Sequence, residues 1–429
     1  MSTRLTALAL ALLAAPLFAQ TSDAEKRMAE LERKVAILSQ ELEAQKSGTT
    51  VEAKEQGSYG LGSAASKVYE AKGGLSIGGY GEFLYSNIQS KALPDGTEAP
   101  NERTVDALRL ILYTGYKFSD KIVFNSEVEF EHGGYSDEHV EGEAKVEFAY
   151  LDFLLHKSFN VRAGMMLLPL GFQNEQHEPP AFLGARRTFT ERYIIPSTWH
   201  ENGVGLHGDL AGNLSYRLFL VNGLDAIGRG EGLTSGFSAE GIKGGRQAGK
   251  EALATSLAWT GRLDWNPVPG STLGVGFYSG NSNQSGAGEA IRTNLMELHA
   301  EYRAHGLQAR GLFSRTTNSQ SGVENLPLTS EARNVGTEQL GGYLEVGYDL
   351  FAGRGKQSLV PFARWERLNT QAKVASGVEA EGEFDRTVLT VGVNYKPIPQ
   401  VAIKADYTKL DNGAKTGQNT FNLALGYYF

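Results

Sequence analysis

The chain has 429 residues with no cysteine, 52 glycines, 13 prolines and 10% aromatic residues, which excludes a disulfide scaffold, a thiolate metal site and a collagen-like repeat. Forty-one Lys plus Arg stand against 49 Asp plus Glu, a net charge of -8, so the basic surface of a nucleic-acid binder is missing and no nucleic-acid partner is expected. No apolar run reaches the roughly 18 residues of a spanning helix, yet a membrane barrel stays open, because its apolar residues alternate with polar ones.

Residues 1–19 read as a signal peptide. Met1 to Arg4 is a basic start, Leu5 to Leu17 is apolar but too short to span a bilayer, and Leu17-Phe18-Ala19-Gln20 offers cleavage after Ala19. Residues 20–46 change period: Ala24, Met28, Leu31, Val35, Leu38 and Leu42 are spaced four, three, four, three and four, the heptad seam of a periplasmic coiled coil. Three heptads cannot bury that seam alone, so the helix is expected to associate with copies of itself. Residues 47–72, rich in Gly, Ser, Ala and charge without a period, read as a linker.

From residue 73 to the end the period is two. In the last segment Phe421, Leu423, Leu425, Tyr427 and Phe429 alternate with Asn422, Ala424, Gly426 and Tyr428, one row for each face of a strand. Counting such segments predicts sixteen strands near 75–90, 105–118, 121–131, 143–157, 159–167, 203–210, 214–222, 254–266, 271–280, 293–304, 306–316, 338–349, 358–369, 385–396, 400–410 and 420–429. Tight turns alternate with long connections at 91–104, 132–142, 168–202, 223–253, 281–292, 317–337, 370–384 and 411–419; only 350–357 is longer than the pattern asks. The fold class is therefore an all-β membrane protein, a 16-stranded antiparallel transmembrane β-barrel over 73–429 with its long loops outside the cell. Tyr116, Phe118, Trp259, Trp265, Tyr395 and Tyr407 suit the aromatic girdles at outer-membrane lipid and lipopolysaccharide. The closing Tyr427-Tyr428-Phe429 looks like the C-terminal signal read by the barrel-assembly machinery.

Function falls to the inward face, where sixteen strands leave room for water and no packed core is needed. Parity places Arg109, Arg162, Arg217, Arg262 and Arg310 there, with carboxylates expected to pair across neighbouring strands. The third long loop, Leu168 to Asn202, carries Pro169, Gly171, Pro179, Pro180 and Pro196 and is expected to fold into the lumen, burying Phe172, Phe182, Leu183, Phe189, Ile194 and Ile195. That would set Arg186, Arg187 and Arg192 at the narrowest point, where guanidinium forks hold carboxylate or phosphate at any relevant pH. An enzyme is not expected: His200-Glu201 and His207-x-Asp209 stand without a nucleophile elbow or a metal-binding HExxH, and no cofactor is called for. A different class, an envelope tether or adhesin built on the coiled coil, would have no use for an inward loop.

The motifs Gly78-Gly79-Tyr80-Gly81-Glu82, Arg162-Ala163-Gly164, Leu168-Pro169-Leu170-Gly171-Phe172, Arg186-Arg187 and Ile195-Pro196-x-x-Trp199-x-Glu201-x-Gly203-Val204-Gly205 make Gly73 to Phe429 resemble the phosphate-selective porin O and P family. The resemblance implies a homotrimer of sixteen-stranded barrels in the bacterial outer membrane, passing small anions through an arginine-lined constriction. One departure matters. That family's phosphate specificity leans on lysines beside the arginines, whereas no lysine occurs between Lys157 and Lys243, so a carboxylate or general anion pore fits equally. The N-terminal coiled coil resembles the extension of dicarboxylate-type porins, which points the same way.

Overall fold

Alternation along the strands builds the wall. In the last strand Leu423 and Leu425 stand exposed while Asn422 and Ala424 are buried, and the same split runs round the barrel: Trp259, Trp265, Leu298, Phe313 and Trp365 face out, while Glu297, Arg310 and Glu366 face in. The structure, a computed structural model, describes residues 26–37, 57–137, 140–229, 234–286, 288–324, 326 and 334–429. Sixteen strands form the barrel: β1 (Gly74–Ile88), β2 (Glu102–Ser119), β3 (Ile122–Asp137), β4 (Val140–His156), β5 (Phe159–Leu167), β6 (His200–Leu210), β7 (Leu214–Asn222), β8 (Leu257–Trp265), β9 (Ser271–Asn281), β10 (Arg292–Ala304), β11 (Leu307–Asn318), β12 (Gly336–Tyr348), β13 (Ser358–Val374), β14 (Asp385–Ile398), β15 (Val401–Asn412) and β16 (Thr420–Tyr428). Each pairs with its sequence neighbours, and β16 closes antiparallel on β1 from Tyr80↔Tyr428 to Ile88↔Thr420. Closure leaves the barrel sheet without a free edge. Among the described residues no helix is long and apolar enough to cross a membrane; the strands form the wall.

The N-terminal unit is described only over 26–37, a helix (α1) whose residues are all exposed, Met28, Leu31 and Val35 of the expected seam included. The signal peptide and the flanks of the coiled coil at 20–25 and 38–46 lie outside the described residues.

Three expectations are corrected. The long loop expected at 132–142 is mostly strand: β3 runs to Asp137 and β4 begins at Val140. Its turn-forming residues are used inside the hairpin, where His132 and Gly133 take positive φ (52° and 82°) and the register shifts between Glu131 and Ser136, a bulge rather than a loop.

Second, the expected linker is ordered over 57–72. A short helix α2 (Lys67–Glu70) follows a run of small residues, and Leu61, Ala64, Ala65, Val68 and Tyr69 are buried within the barrel. Small residues carry no period, so their packing is invisible in sequence, but the wall makes room for them. A Cβ on Gly115 of β2 would lie 2.6 Å from Val68 Cβ, so only glycine admits α2 there. Asn125 Nδ2 of β3 donates to the Ala65 carbonyl (2.8 Å), and the Tyr69 hydroxyl donates to Asp152 Oδ2 (2.8 Å).

Third, the lumen is not lined by polar groups alone. Tyr80, Ile111, Phe148, Phe219 and Tyr278 point inward and pack with Leu61, Val68 and Trp199 into one buried cluster. Each such side chain contributes about 1.5–3 kcal/mol on burial. The inserted segment and the third loop supply the partners that a hollow barrel lacks.

Candidate functional site

The third loop, hereafter L3, spans residues 168–199 between β5 and β6 and crosses the lumen. Its neck is stitched by the Leu168 amide donating to the Trp199 carbonyl (2.9 Å) and by Asn174, whose Nδ2 donates to both the Leu168 and Trp199 carbonyls and whose Oδ1 accepts from the Trp199 amide. Gly171 turns the chain at φ 65°, where a Cβ would sit 2.4 Å from the Glu191 carboxylate. A 3-10 turn at Pro179–Ala181 then uses proline at its first position, where no donor is missed. A second short helix, α3 (Thr190–Tyr193), carries Glu191 and Arg192.

The far wall receives the loop through side chains that β12 to β16 aim inward. Asp406 Oδ2 accepts from the Ala185 amide (2.6 Å), Glu366 Oε2 from the Thr190 amide (3.0 Å), and Lys404 Nζ donates to the Gly184 carbonyl (2.8 Å). Buried Glu191 accepts from the Gln173 amide and from Tyr343 Oη, both at 2.6 Å. Wall glycines mark the landing points: a Cβ on Gly426 would meet Pro179 at 2.3 Å, and one on Gly341 would meet Ile194 Cγ1 at 2.5 Å. Phe182, Leu183, Ile194 and Ile195 are buried as expected, while Phe172 and Phe189 are half-buried. Burial raises the proton affinity of the loop carboxyls Glu175, Glu178 and Glu191, and lowers that of His177.

The inserted N-terminal segment meets L3 from the short-turn side. Glu178 Oε1 accepts from the Ala64 and Ala65 amides (2.8 and 3.0 Å), and Tyr69 Oη also accepts from Arg162 Nη2 (3.3 Å). On the same side a cavity of about 1120 Å³ opens, lined among others by Tyr59, His207, Arg217, Arg262, Asp264 and Arg303.

The geometry divides the eight arginines singled out in sequence. Five lie on the wall beside carboxylates. Arg109 contacts Glu82 (2.9 Å), Glu129 (3.1 Å) and Glu131 (3.2 Å); Arg162 contacts Asp152 (2.8 Å); Arg217 contacts Asp264 (2.6 Å) and Glu175 (2.8 Å). Arg262 contacts Asp264 (2.8 Å), and Arg310 contacts Glu301 (3.2 Å) and Glu345 (3.5 Å). Several of them also fasten L3: Arg262 donates to the Gly171 carbonyl, and Arg310 donates to that of Ala181 (3.1 Å).

The L3 arginines differ. Among the described residues no carboxylate lies within ion-pair distance of Arg186, Arg187 or Arg192. Arg186 donates to Ser86 Oγ (2.8 Å), near the long-loop end of β1, and Arg192 is exposed. Sequence reasoning missed the other members of this group, Lys243 and Arg246, because they belong to the next loop. Arg246 donates to the Ser197 carbonyl of L3 and to the Lys243 carbonyl, with no carboxylate at contact among the described residues. Burial, followed by the neighbouring charge of Arg192, lowers the proton affinity of both Arg186 and Lys243; Arg246 acts on Lys243 as well. The charges of Arg186, Arg192, Lys243 and Arg246 thus act on one another on the long-loop side of L3, with Glu147 and Glu201 acting on Arg246 from a distance.

Two other residues escaped the sequence reading. Glu82 holds Arg109, and Asp152 holds Arg162, His207 (2.7 Å) and Tyr69 at once. Asp152 has the wrong parity for an undistorted strand; the register shift between Glu127 and Val128 buries Glu147 and Phe148 in succession and turns Asp152 inward. His207 consequently pairs with Asp152, while Asp209 is exposed at the strand end. His200 and Glu201 have structural bonds: His200 Nδ1 lies 2.8 Å from the Thr198 carbonyl, and Glu201 accepts from Trp199 Nε1, Asn222 Nδ2 and the Gln247 amide.

No family model matches the chain. An uncharacterized protein of Aquifex aeolicus is 38% identical over 379 residues, 86% of this chain and 83% of that protein. The chain belongs to the family of that Aquifex protein. Solved structures with a similar fold include OmpF of Salmonella typhi in complex with daunomycin (10% identity, TM-score 0.53, 83% of this chain and 98% of that one) and the outer membrane channel DcaP of Acinetobacter baumannii (12%, 0.52, 83% and 97%). The anion-selective porin from Comamonas acidovorans is also similar (11%, 0.51, 83% and 99%). At these identities the likeness concerns the fold, a porin-type barrel.

Proposed function

We propose that the protein is a porin of the bacterial outer membrane through which small anions diffuse passively, drawn by the arginines of L3. The observation that carries this reading is that, among the described residues, Arg186, Arg187 and Arg192 have no carboxylate at ion-pair distance, and that the charge of Arg192 adds to those of Arg186 and Lys243. Wall arginines are held by carboxylates and project little field, whereas like charges crowded on a loop across the lumen lower the barrier for an anion. The overall acidity of the chain does not oppose this, since distant charges are screened within about 8–10 Å. The anion-selective Comamonas porin shares the architecture, and the resemblance to phosphate-selective porins supports the same reading.

The solute is a small anion such as phosphate or a dicarboxylate. Lys404 and Lys396 are drawn into bonds with the L3 carbonyls of Gly184 and Pro180, which leaves the guanidinium forks as the recognition groups and favours planar carboxylates. The exposed apolar residues of α1 support a homotrimer joined by the N-terminal coiled coil in the periplasm, and Phe429 would be the end read by the barrel-assembly machinery. The test is the reversal potential of the purified protein in a planar bilayer under a salt gradient, followed by phosphate and then succinate as blockers. Anion-selective current in steps of three, blocked by one of them, is the expected result; cation-selective or absent current overturns the reading.

A further inference from the structure

One buried cluster takes no part in the arginine pairing. His177, in the first half of L3, meets Glu127 of β3 and Glu147 of β4, and the three side chains are 2%, 0% and 0% exposed. One ligand-type atom from each lies within 4.8 Å of the others. His177 Nδ1 is 2.9 Å from the Asn174 carbonyl, an acceptor only, so Nδ1 carries the ring proton and donates it. In the neutral imidazole Nε2 then presents a lone pair, 3.1 Å from Glu127 Oε1 and 3.8 Å from Glu147 Oε2. Lone pairs facing one another in a buried pocket repel unless a positive species sits among them. Glu127 Oε2 and both Glu147 oxygens, moreover, have no hydrogen-bond partner. The nearby cations act on them without bonding to them: Lys145 Nζ is 2.8 Å from Glu129 but 3.8 Å from Glu147, and the charges of Arg187 on Glu127 and of Arg246 on Glu147 act without an ion-pair contact.

We propose that His177, Glu127 and Glu147 bind a divalent transition-metal ion, zinc or manganese, which pins L3 to the β3–β4 wall. One imidazole nitrogen with two carboxylates is a borderline nitrogen–oxygen donor set suited to such ions. Bonds of about 2.1 Å in a tetrahedral site put ligand atoms about 3.4 Å apart, and the observed 3.1 and 3.8 Å bracket that value. The Nδ1–H held by a backbone carbonyl is the outer contact that fixes a ligating histidine in the tautomer a metal needs. Three protein ligands leave a fourth position for water. The ion would cancel charge on the carboxylate side of the lumen and fix the first half of L3, so that the arginines in the second half keep their place.

Binding of manganese alone tests this without reference to conductance, so its outcome is independent of the anion-pore reading. Full-length protein in detergent, stripped with EDTA and dialysed, is titrated with Mn2+ while the free-ion EPR signal is followed, and Zn2+ is then added as competitor. One Mn2+ per chain, displaced by Zn2+, is expected, with affinity reduced about a hundredfold or more in His177→Ala. The near-isosteric Glu127→Gln and Glu147→Gln keep the shape of the pocket and should weaken binding likewise, folding being checked by heat-modifiable migration. An EDTA-stripped wild type that is folded yet leaves the Mn2+ signal unchanged overturns the proposal in favour of a proton shared between His177 and Glu127. Binding that survives in folded Glu147→Gln overturns it equally.

Discussion

Arg162 and Arg186 are the same residue type in the same lumen, and their surroundings give them opposite uses. Arg162, buried on β5, contacts Asp152 and donates to Tyr69 of the inserted segment, so its charge is spent on holding the structure. Arg186, on L3, touches only neutral groups, Ser86 and Asn422, and adds to the charge of Arg192. The difference teaches that a count of arginines on the inner face says little about the field an anion meets. What counts is which of them lack a carboxylate at contact distance.

Substitutions that separate the two sets break or sharpen this comparison. Arg162→Ala leaves Asp152 buried without its cation and should cost about 3–5 kcal/mol of stability, read from urea unfolding of the barrel in lipid; a loss below 1 kcal/mol would return Arg162 to the pore. Tyr69→Phe removes a hydrogen bond to the same carboxylate and should cost about 1.5–3 kcal/mol, with ion selectivity unchanged. In the loop set, Arg186, Arg187 and Arg192 replaced together by alanine should leave the fold intact. Their loss should lower anion permeability about fivefold for each charge met near 4 Å in water, and with it the anion-over-cation ratio. An unchanged reversal potential would remove L3 from selectivity. The smallest effect is that of salt: raising ionic strength from 0.1 to 1 M shortens the screening length to about 3 Å and should reduce the anion preference without touching unfolding.

The barrel was legible because lipid and lumen impose opposite demands on alternate residues, as Leu423 and Asn422 show. The inward fold of L3 was legible from Phe182 and Ile195, which solvent would not hold. What fills the lumen was less so. The segment 57–72 reads as a linker since Ala64, Ala65 and Ser66 have no period; its trace in sequence is on the other partner, in inward glycines such as Gly115 that leave room for it. Asp152 was hidden for a geometric reason, because one bulge beside Glu147 inverts every parity after it. The pairing of Arg217 with Glu175 joins residues of a strand and a loop, which alternation cannot register.

The inserted segment also bears on how the molecule is assembled. It precedes β1, and β1 is sealed by β16, more than 300 residues later, with the Phe429 amide donating to the Gly79 carbonyl and the Gly79 amide to that of Phe429. Gly78 beside this seam lies against both the Ala64 carbonyl and the last residue of the chain. A Cβ there would stand 3.1 Å from each, so the seam and the inserted segment are fitted to one another at this glycine. Sealing the wall and filling it therefore depend on the same contacts, and pairing across more than 300 residues is expected to make this closure slow, a point that refolding followed by heat-modifiable migration would check.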